Sequence, residues 1–191
     1  MSYHRPHPPY DPPAWAFEQY VHAEMPPVPR GDWSESLQLP AEPFIPDSSY
    51  GRVSPAVLQR ARDGYYGHMT HIDHQVDRFL KALPEFIAGP TIVCFVSDHG
   101  EMMGDHDLWR KTLPYEGSAR VPLILSAPSL KLPRGTVCTD LVELRDVFPT
   151  LLDCAGLEVP DSIEGRSALP LLRGERSAGW REYLHVEHVT F

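Results

Sequence analysis

The sequence predicts an α/β fold, in which a sheet of buried strands is covered by helices. Residues 54–83 have apolar positions at the three- and four-residue spacing of a helix. Two continuous apolar runs, TIVCFV at 91–96 and VPLILSAP at 121–128, have the length and the β-branched content of buried strands. The 191 residues are enough for one domain with its own core.

Residues 1–53 are predicted to be an ordered, loop-rich segment that lies on this core. Eleven of the 21 prolines fall within residues 1–46, a density typical of irregular chain. Aromatic residues are interleaved with the prolines, whereas disordered segments are poor in aromatics. A short helix is expected near PAWAFEQYV, residues 13–21. Residues 54–191 are expected to form the central and C-terminal part of the same domain.

The long helix is predicted to begin after Ser54, an N-cap residue that is followed by a proline at the first helical position. Pro84 and the pair Gly89-Pro90 predict its end. The apolar positions that share one face of this predicted helix are Tyr66, Met69, Ile72, Val76, Phe79, Leu80 and Leu83.

Two weaker elements follow the apolar runs. GTVCTDLV, residues 135–142, is predicted as a third strand. LRDVFPTLLDCAGL, residues 144–157, has helical spacing, with Pro149 near the first turn and Gly156 as the stop. The order of helix, strand, loop, strand, strand and helix is what predicts the layered α/β arrangement.

Composition excludes several classes of protein. A formal net charge of −9 argues against a nucleic-acid-binding surface. No run of about 18 apolar residues predicts a membrane span, and the first ten residues have no apolar signal core. The cysteines are Cys94, Cys138 and Cys154, an odd number without metal-binding spacing, so a cytoplasmic location is expected.

The stretch Asp98-His99-Gly100 directly follows the first predicted strand. In open α/β sheets, ligands bind beyond the carboxyl ends of the strands. A carboxylate and an imidazole are both ligands for divalent cations, and the glycine allows a sharp turn. The alternative is a turn in which Asp98 caps the next segment and His99 is solvated; both interpretations stay open on this short pattern.

Two other stretches carry cationic or titratable groups. Lys111, twelve residues after His99, has the charge to bind a sulfate or phosphate oxygen, although most lysines are surface residues. His4, Arg5 and His7 lie among prolines in SYHRPHPPY, where a restricted loop can hold imidazoles for proton transfer or anion contact. A basic turn beside a proline-rich segment is the alternative.

Of two histidine-containing clusters, the first is interpreted as structural and the second is left open. His68, His71 and His74 repeat at three-residue spacing on the predicted helix, but no acidic residue completes a metal site on that face. For the cluster at 105–107, which contains His106, metal binding and a loop braced by its hydrogen bonds are equally open.

In combination, these stretches resemble the sulfatase branch of the alkaline-phosphatase superfamily, in particular arylsulfatases and phosphonate monoester hydrolases. The similarity covers nearly the whole chain, in the family's order and spacing. The segments that carry it are SYHRPHPPYDPP, YYGHMTHIDHQVDRFLKAL, FVSDHGEMMGDHDLWRK with PYEGSARVPLIL, and LRDVFPTLLDCAGL with EGRSALPLL.

The resemblance implies an alkaline-phosphatase-like α/β/α sandwich, here incomplete, and a set of site residues. Asp98 and His99 would be ligands of a divalent cation, usually Ca²⁺ and sometimes Mn²⁺. Lys111 would contact the sulfate or phosphate oxygens, and His7, rather than His4, would lie near the leaving group or the anion. His106 would brace its loop.

The chain also departs from the family pattern. The family's nucleophile is a formylglycine made from Cys or Ser in a C/S-x-P-S/A-R motif; this motif and the family's N-terminal acid pair are absent. The resemblance therefore implies a metal-dependent sulfuric ester hydrolase that is inactive as this isolated chain, with a small-molecule sulfate ester as its substrate. The alternatives are a phosphonate monoester hydrolase or phosphodiesterase, and a non-catalytic binding module. Unpaired strand edges would also favour aggregation or a homo-oligomer.

Overall fold

The structure is a computed structural model that describes residues 1–35, 50–111, 113–175 and 179–187. The chain divides into two compact units. Unit 1 comprises Met1–Ala88 and His99–Arg120, and unit 2 comprises Gly89–Asp98 and Val121–Phe191. The helices are α1 (Ala14–Phe17), α2 (Pro55–Phe86), α3 (Glu116–Ala119), α4 (Val147–Cys154) and α5 (Leu169–Leu172), and the strands are β1 (Val93–Val96) and β2 (Leu123–Ser126).

Helix α2 is the longest element of unit 1, and its predicted start is confirmed. The Ser54 hydroxyl accepts a hydrogen bond from the Val57 amide at 3.3 Å, and the proline occupies the first turn. The predicted end at Pro84 is wrong, because the helix continues to Phe86. A proline in the last turn removes one backbone hydrogen bond, and the Ile87 amide still bonds to the Leu83 carbonyl at 3.1 Å.

The proline-rich N-terminal segment lies against α2, as predicted for the part of it that the structure describes. Its helix α1 is close to the expected position. A Cβ on Gly64 would overlap the Tyr10 carbonyl, and a Cβ on Gly67 would lie 2.7 Å from the Pro12 ring, so the close packing needs both glycines. The Tyr20 hydroxyl and the Thr70 hydroxyl are hydrogen-bonded at 2.7 Å. Residues 36–49 of the predicted segment lie outside the described residues.

In unit 2, β1 and β2 pair antiparallel, from Val93 opposite Ser126 to Val96 opposite Leu123. Both strands were predicted to be buried, and that prediction is wrong for the described chain, where Ile124 is 61% exposed. The predicted third strand at 135–142 is irregular, and Val137 is 87% exposed. β propensity depends on neighbouring strands to pack against, and among the described residues these two strands form a sheet of only two.

Helix α4 is confirmed, with Pro149 in its first turn and Gly156 following its end at φ +70°. Directly before α4, the buried Asp146 side chain accepts hydrogen bonds from the backbone amides of Glu143 at 2.9 Å and Arg166 at 2.8 Å. This carboxylate fixes the start of the helix to a later loop. Among the described residues, no helix combines the length and the apolar character that a membrane span requires.

Candidate anion and metal site

The segment from Gly100 to Ser118 in unit 1 is held by backbone hydrogen bonds. The Gly100 amide donates to the Ser118 carbonyl at 2.8 Å, and the Glu101 amide donates to the Gly117 carbonyl at 2.7 Å. The two backbone segments approach each other so closely that a Cβ on Gly100 would overlap the Gly117 carbonyl oxygen. The glycine after the Asp-His pair is therefore needed for this close approach.

Among its described residues, the same segment contains four non-glycine residues in the left-handed region. They are Met103, His106, Asp107 and Arg110, with φ values of 48°, 58°, 61° and 64°. Each such residue costs of the order of 1–3 kcal/mol and persists where its surroundings determine it strongly. Residues with this strain cluster at functional sites, and Lys111 is the next residue after the last of them.

The two predicted metal ligands are consecutive residues that follow β1. Asp98 is an exposed residue of unit 2, two positions after β1, and His99 is a half-buried residue of unit 1. The His99 Nδ1 atom lies 2.8 Å from the Gly100 carbonyl oxygen, so Nδ1 donates. This tautomer leaves the lone pair on Nε2, which is the form that a metal ligand needs.

The donor types of Asp98 and His99 fit a divalent cation, but two ligands do not complete its shell. Calcium takes six to eight oxygen ligands. Within the ranges that the structure describes, no group of three or more His, Cys, Asp or Glu residues could hold a metal ion. This pair can therefore supply only part of a coordination sphere.

The histidines of the N-terminal loop lie together. The His4 and His7 rings are 4.8 Å apart, and the half-buried His7 donates from Nδ1 to the Pro8 carbonyl at 3.0 Å. The Arg5 guanidinium closes the loop by donating to the carbonyls of His7 at 2.8 Å and Pro9 at 3.0 Å. His7 thus sits in a loop whose backbone is restrained by hydrogen bonds.

The histidines of α2 are held by the N-terminal segment. His68 is 2% exposed, and its Nε2 atom accepts a hydrogen bond from the Asp11 amide at 3.1 Å. Burial lowers its pKa. His71 and His74 contact the Trp15 ring, with centroid separations of 6.1 and 4.8 Å. These contacts agree with the structural interpretation of the three residues.

The cluster at 105–107 braces its loop. His106 Nδ1 accepts a hydrogen bond from the Gly31 amide at 3.0 Å, and its ring lies 5.0 Å from that of Trp33. The buried Asp107 carboxylate pairs with Arg30 and Arg52, each at 2.9 Å. Those contacts match the expected role of His106.

The sequence patterns did not single out Glu101, which connects several parts of unit 1. Its carboxylate accepts hydrogen bonds from the backbone amides of Arg110 and Met103, the latter at 3.3 Å. Burial and the charge of Glu101 raise the pKa of Tyr10, and they raise that of Tyr65 to about 12. The only sequence signal was the position of Glu101, two residues after His99.

Comparison with known proteins identifies the class. The Sulfatase family model matches residues 1–157. The chain belongs to the sulfatase family. Its described part has the alkaline-phosphatase-like α/β fold that the sequence predicted: it superposes on the phosphonate monoester hydrolase SpPMH from Silicibacter pomeroyi with a TM-score of 0.78 and 32% identity, over 95% of this chain and 38% of that one.

Individual relatives refine this assignment. The chain is 46% identical to an arylsulfatase of Clostridium perfringens, over 98% of this chain and 40% of that protein. It is 30% identical to human iduronate 2-sulfatase, over 84% of this chain and 36% of that protein. The chain spans about two fifths of the length of these curated relatives.

Proposed function

We propose that the protein is a metal-dependent sulfuric ester hydrolase of the arylsulfatase type. The observation that carries the proposal is the 46% identity to an arylsulfatase across 98% of the chain. The strained, hydrogen-bonded segment before Lys111 supports it, because such conformations are kept where a site needs an exact geometry. Residues 1–53 and 54–191 would be parts of one catalytic domain.

In this proposal the site residues have separate roles. Asp98 and His99 contribute to holding a divalent cation, Ca²⁺ in preference to Mn²⁺, which when bound polarises an oxygen of the ester. The Lys111 ammonium contacts a sulfate oxygen and offsets the charge that develops on it. His7, whose Nδ1 donates to the Pro8 carbonyl, presents Nε2 as the atom that accepts or returns a proton near the leaving group.

The nucleophile of this reaction is not among the 191 residues. The nearest match to the C/S-x-P-S/A-R motif is SAPSL at 126–130, where Leu130 stands in place of the arginine. We therefore expect no turnover from these residues alone.

The three free thiols, Cys94, Cys138 and Cys154, fit the proposed cytoplasmic location.

A second function is favoured by one specific observation. SpPMH, with its TM-score of 0.78, is a phosphonate monoester hydrolase. Sulfate and phosphonate monoesters both present tetrahedral anionic oxygens, which Lys111 and a cation would bind in the same way. A non-catalytic binding module on the same scaffold is the third hypothesis.

The decisive experiment uses the protein encoded by the complete open reading frame that contains the codons for these 191 residues. That frame is searched for a C/S-x-P-S/A-R motif, and its product is assayed with an aryl sulfate and a phosphonate monoester, with Ca²⁺, with Mn²⁺ and with a chelator. We expect the motif, and faster hydrolysis of the sulfate in the presence of metal. Faster hydrolysis of the phosphonate would support the second function. A frame without the motif, together with no hydrolysis of either ester, would support the binding module.

A further inference from the structure

The carboxylate of Glu101 interacts with two parts of unit 1. It accepts hydrogen bonds from the backbone amides of Met103 and Arg110, and its charge, together with burial, raises the pKa of the Tyr10 phenol. A carboxylate has lone pairs for about four hydrogen bonds, so one side chain can accept from both amides. Hydrogen bonds to a charged acceptor are about twice as strong as those between neutral groups.

The two amides that Glu101 binds belong to strained residues. Met103 has φ 48° and Arg110 has φ 64°, and neither is a glycine. The Met102 amide also donates to the Arg110 carbonyl at 2.8 Å, so Arg110 is held on both of its backbone groups. Since Lys111 follows Arg110, the conformation of Arg110 sets the direction in which the chain enters Lys111.

Tyr10, on whose phenol the Glu101 charge acts, belongs to the N-terminal loop. It lies three residues after His7, and the Asp11 amide that follows it is bound by His68. Arg5 Nη2 pairs with the Asp11 carboxylate at 2.8 Å, so the loop is closed on both sides of His7. Glu101 itself lies two residues after His99.

We propose that Glu101 is a positioning residue that holds the backbone segments carrying His7, His99 and Lys111 in a fixed arrangement within unit 1. The proposal rests on the proposed function for the roles of those three side chains. It adds a residue that touches no substrate and acts through the Arg110 backbone on one side and through the Tyr10 hydroxyl on the other. This role requires the negative charge of the Glu101 carboxylate, because that charge strengthens the hydrogen bonds that the side chain accepts.

The test uses the full 191-residue chain and two variants. Glu101→Gln keeps the shape of the side chain but removes the charge, and Tyr10→Phe removes only the phenol hydroxyl. The matched control is Glu116→Gln, because Glu116 is a carboxylate of the same unit whose side chain is 83% exposed and pairs only with Arg120 among its described ion pairs. Amide hydrogen exchange is followed by NMR, and binding of inorganic sulfate is followed by the shift of the Lys111 amide.

We expect Glu101→Gln to speed exchange at the Arg110 and Met103 amides by about tenfold or more, with little change in α2. Its folded form should bind sulfate about tenfold more weakly, which a purely stabilising role would not produce. Tyr10→Phe should shift the His7 imidazole resonances and leave exchange at Arg110 within about twofold. Glu116→Gln should change neither amide exchange at Arg110 nor the His7 resonances.

Unchanged exchange at Arg110 in Glu101→Gln would overturn the proposal. If that variant unfolds, unchanged His7 resonances in Tyr10→Phe would overturn it instead. A wild-type chain that binds no sulfate counts against the role proposed for Lys111, and exchange at Arg110 still decides the role of Glu101. The two failures are therefore distinguishable.

Discussion

The Arg181 guanidinium binds the carboxylate of Asp146, 35 residues earlier in the chain, through both Nη1 and Nη2, the latter at 2.8 Å. Asp146 is 1% exposed and the Arg181 side chain 11% exposed. The same carboxylate accepts the backbone amides of Glu143 and Arg166, so all its principal acceptor positions are used. This pair attaches the segment around Arg181 to the start of α4.

Removal of this charge should destabilise the protein strongly. In Asp146→Asn, the Arg181 guanidinium loses its charged hydrogen-bond partner and keeps only Glu143, at 3.3 Å, as a counter-ion, so we expect the free energy of unfolding to fall by about 1.5–3 kcal/mol. Urea denaturation at pH 7 measures the change. Glu158→Gln, at an exposed position of unit 2, should change it by less than about 0.5 kcal/mol. Equal stability of Asp146→Asn and wild type would show that the pair contributes little.

His68 should make stability depend on pH. Burial lowers the pKa of His68 below its ordinary value of 6.5, although Asp11 opposes the shift and Arg5 adds to it. The folded state therefore favours the neutral ring, so this stabilisation is complete above pH 6.5 and is lost as the pH falls through the lower folded pKa. Urea denaturation at pH 7.5 and 5.0 should show a smaller loss of stability on acidification in His68→Gln than in wild type.

His22→Gln is the control for that measurement, because it makes the same substitution at an exposed histidine. It should lose as much stability on acidification as the wild type does. If His68→Gln also keeps the full wild-type loss, then His68 is not the group responsible.

Lys111 should matter for the reaction and little for stability. In the product of the complete reading frame, Lys111→Ala should lower kcat/KM for an aryl sulfate by about 10²–10³, the usual effect of removing one group that offsets transition-state charge. Lys81→Ala is the control, since the Lys81 side chain is 75% exposed and pairs with Asp77 on the surface of α2. Activity of Lys111→Ala equal to that of the control would remove Lys111 from the proposed site.

His99 should contribute to metal affinity. We expect His99→Ala to weaken Ca²⁺ binding by the complete-frame protein about tenfold or more, because an imidazole of the required tautomer is lost. Isothermal titration calorimetry measures the dissociation constant. His22→Ala should leave it unchanged; a dissociation constant that is also unchanged in His99→Ala would favour the solvated-turn interpretation of Asp98 and His99.

The exposed apolar side chains of the two-stranded sheet should drive self-association of the 191-residue chain. Ile124 on β2 is 61% exposed and Val96 on β1 is 38% exposed. Gel filtration should show species larger than the 21.6 kDa monomer, and Ile124→Lys should shift the profile towards the monomer. Ser129→Lys, which adds the same charge at an exposed polar position, should not. A stable wild-type monomer at high concentration would contradict this expectation.

Local signals predicted the helices well. The cap at Ser54, the apolar periodicity of α2 and the glycine after α4 are local signals, so the start of α2 and the end of α4 could be predicted. The end of α2 predicted from Pro84 was wrong, because a proline in the last turn of a helix removes only a single hydrogen bond. The weak strand at 135–142 failed because strand formation depends on neighbours that lie far away in sequence.

The sequence by itself determined the family, the two strands, the main helices and the candidate site residues Asp98, His99, Lys111 and His7. These follow from residue types and short spacings. Only the tertiary structure decided that Glu101 binds the Arg110 amide and acts on the Tyr10 phenol, and that His68 is buried against Asp11. Hydrogen bonds between residues more than fifty positions apart depend on the path of the whole chain, and no local pattern specifies that path.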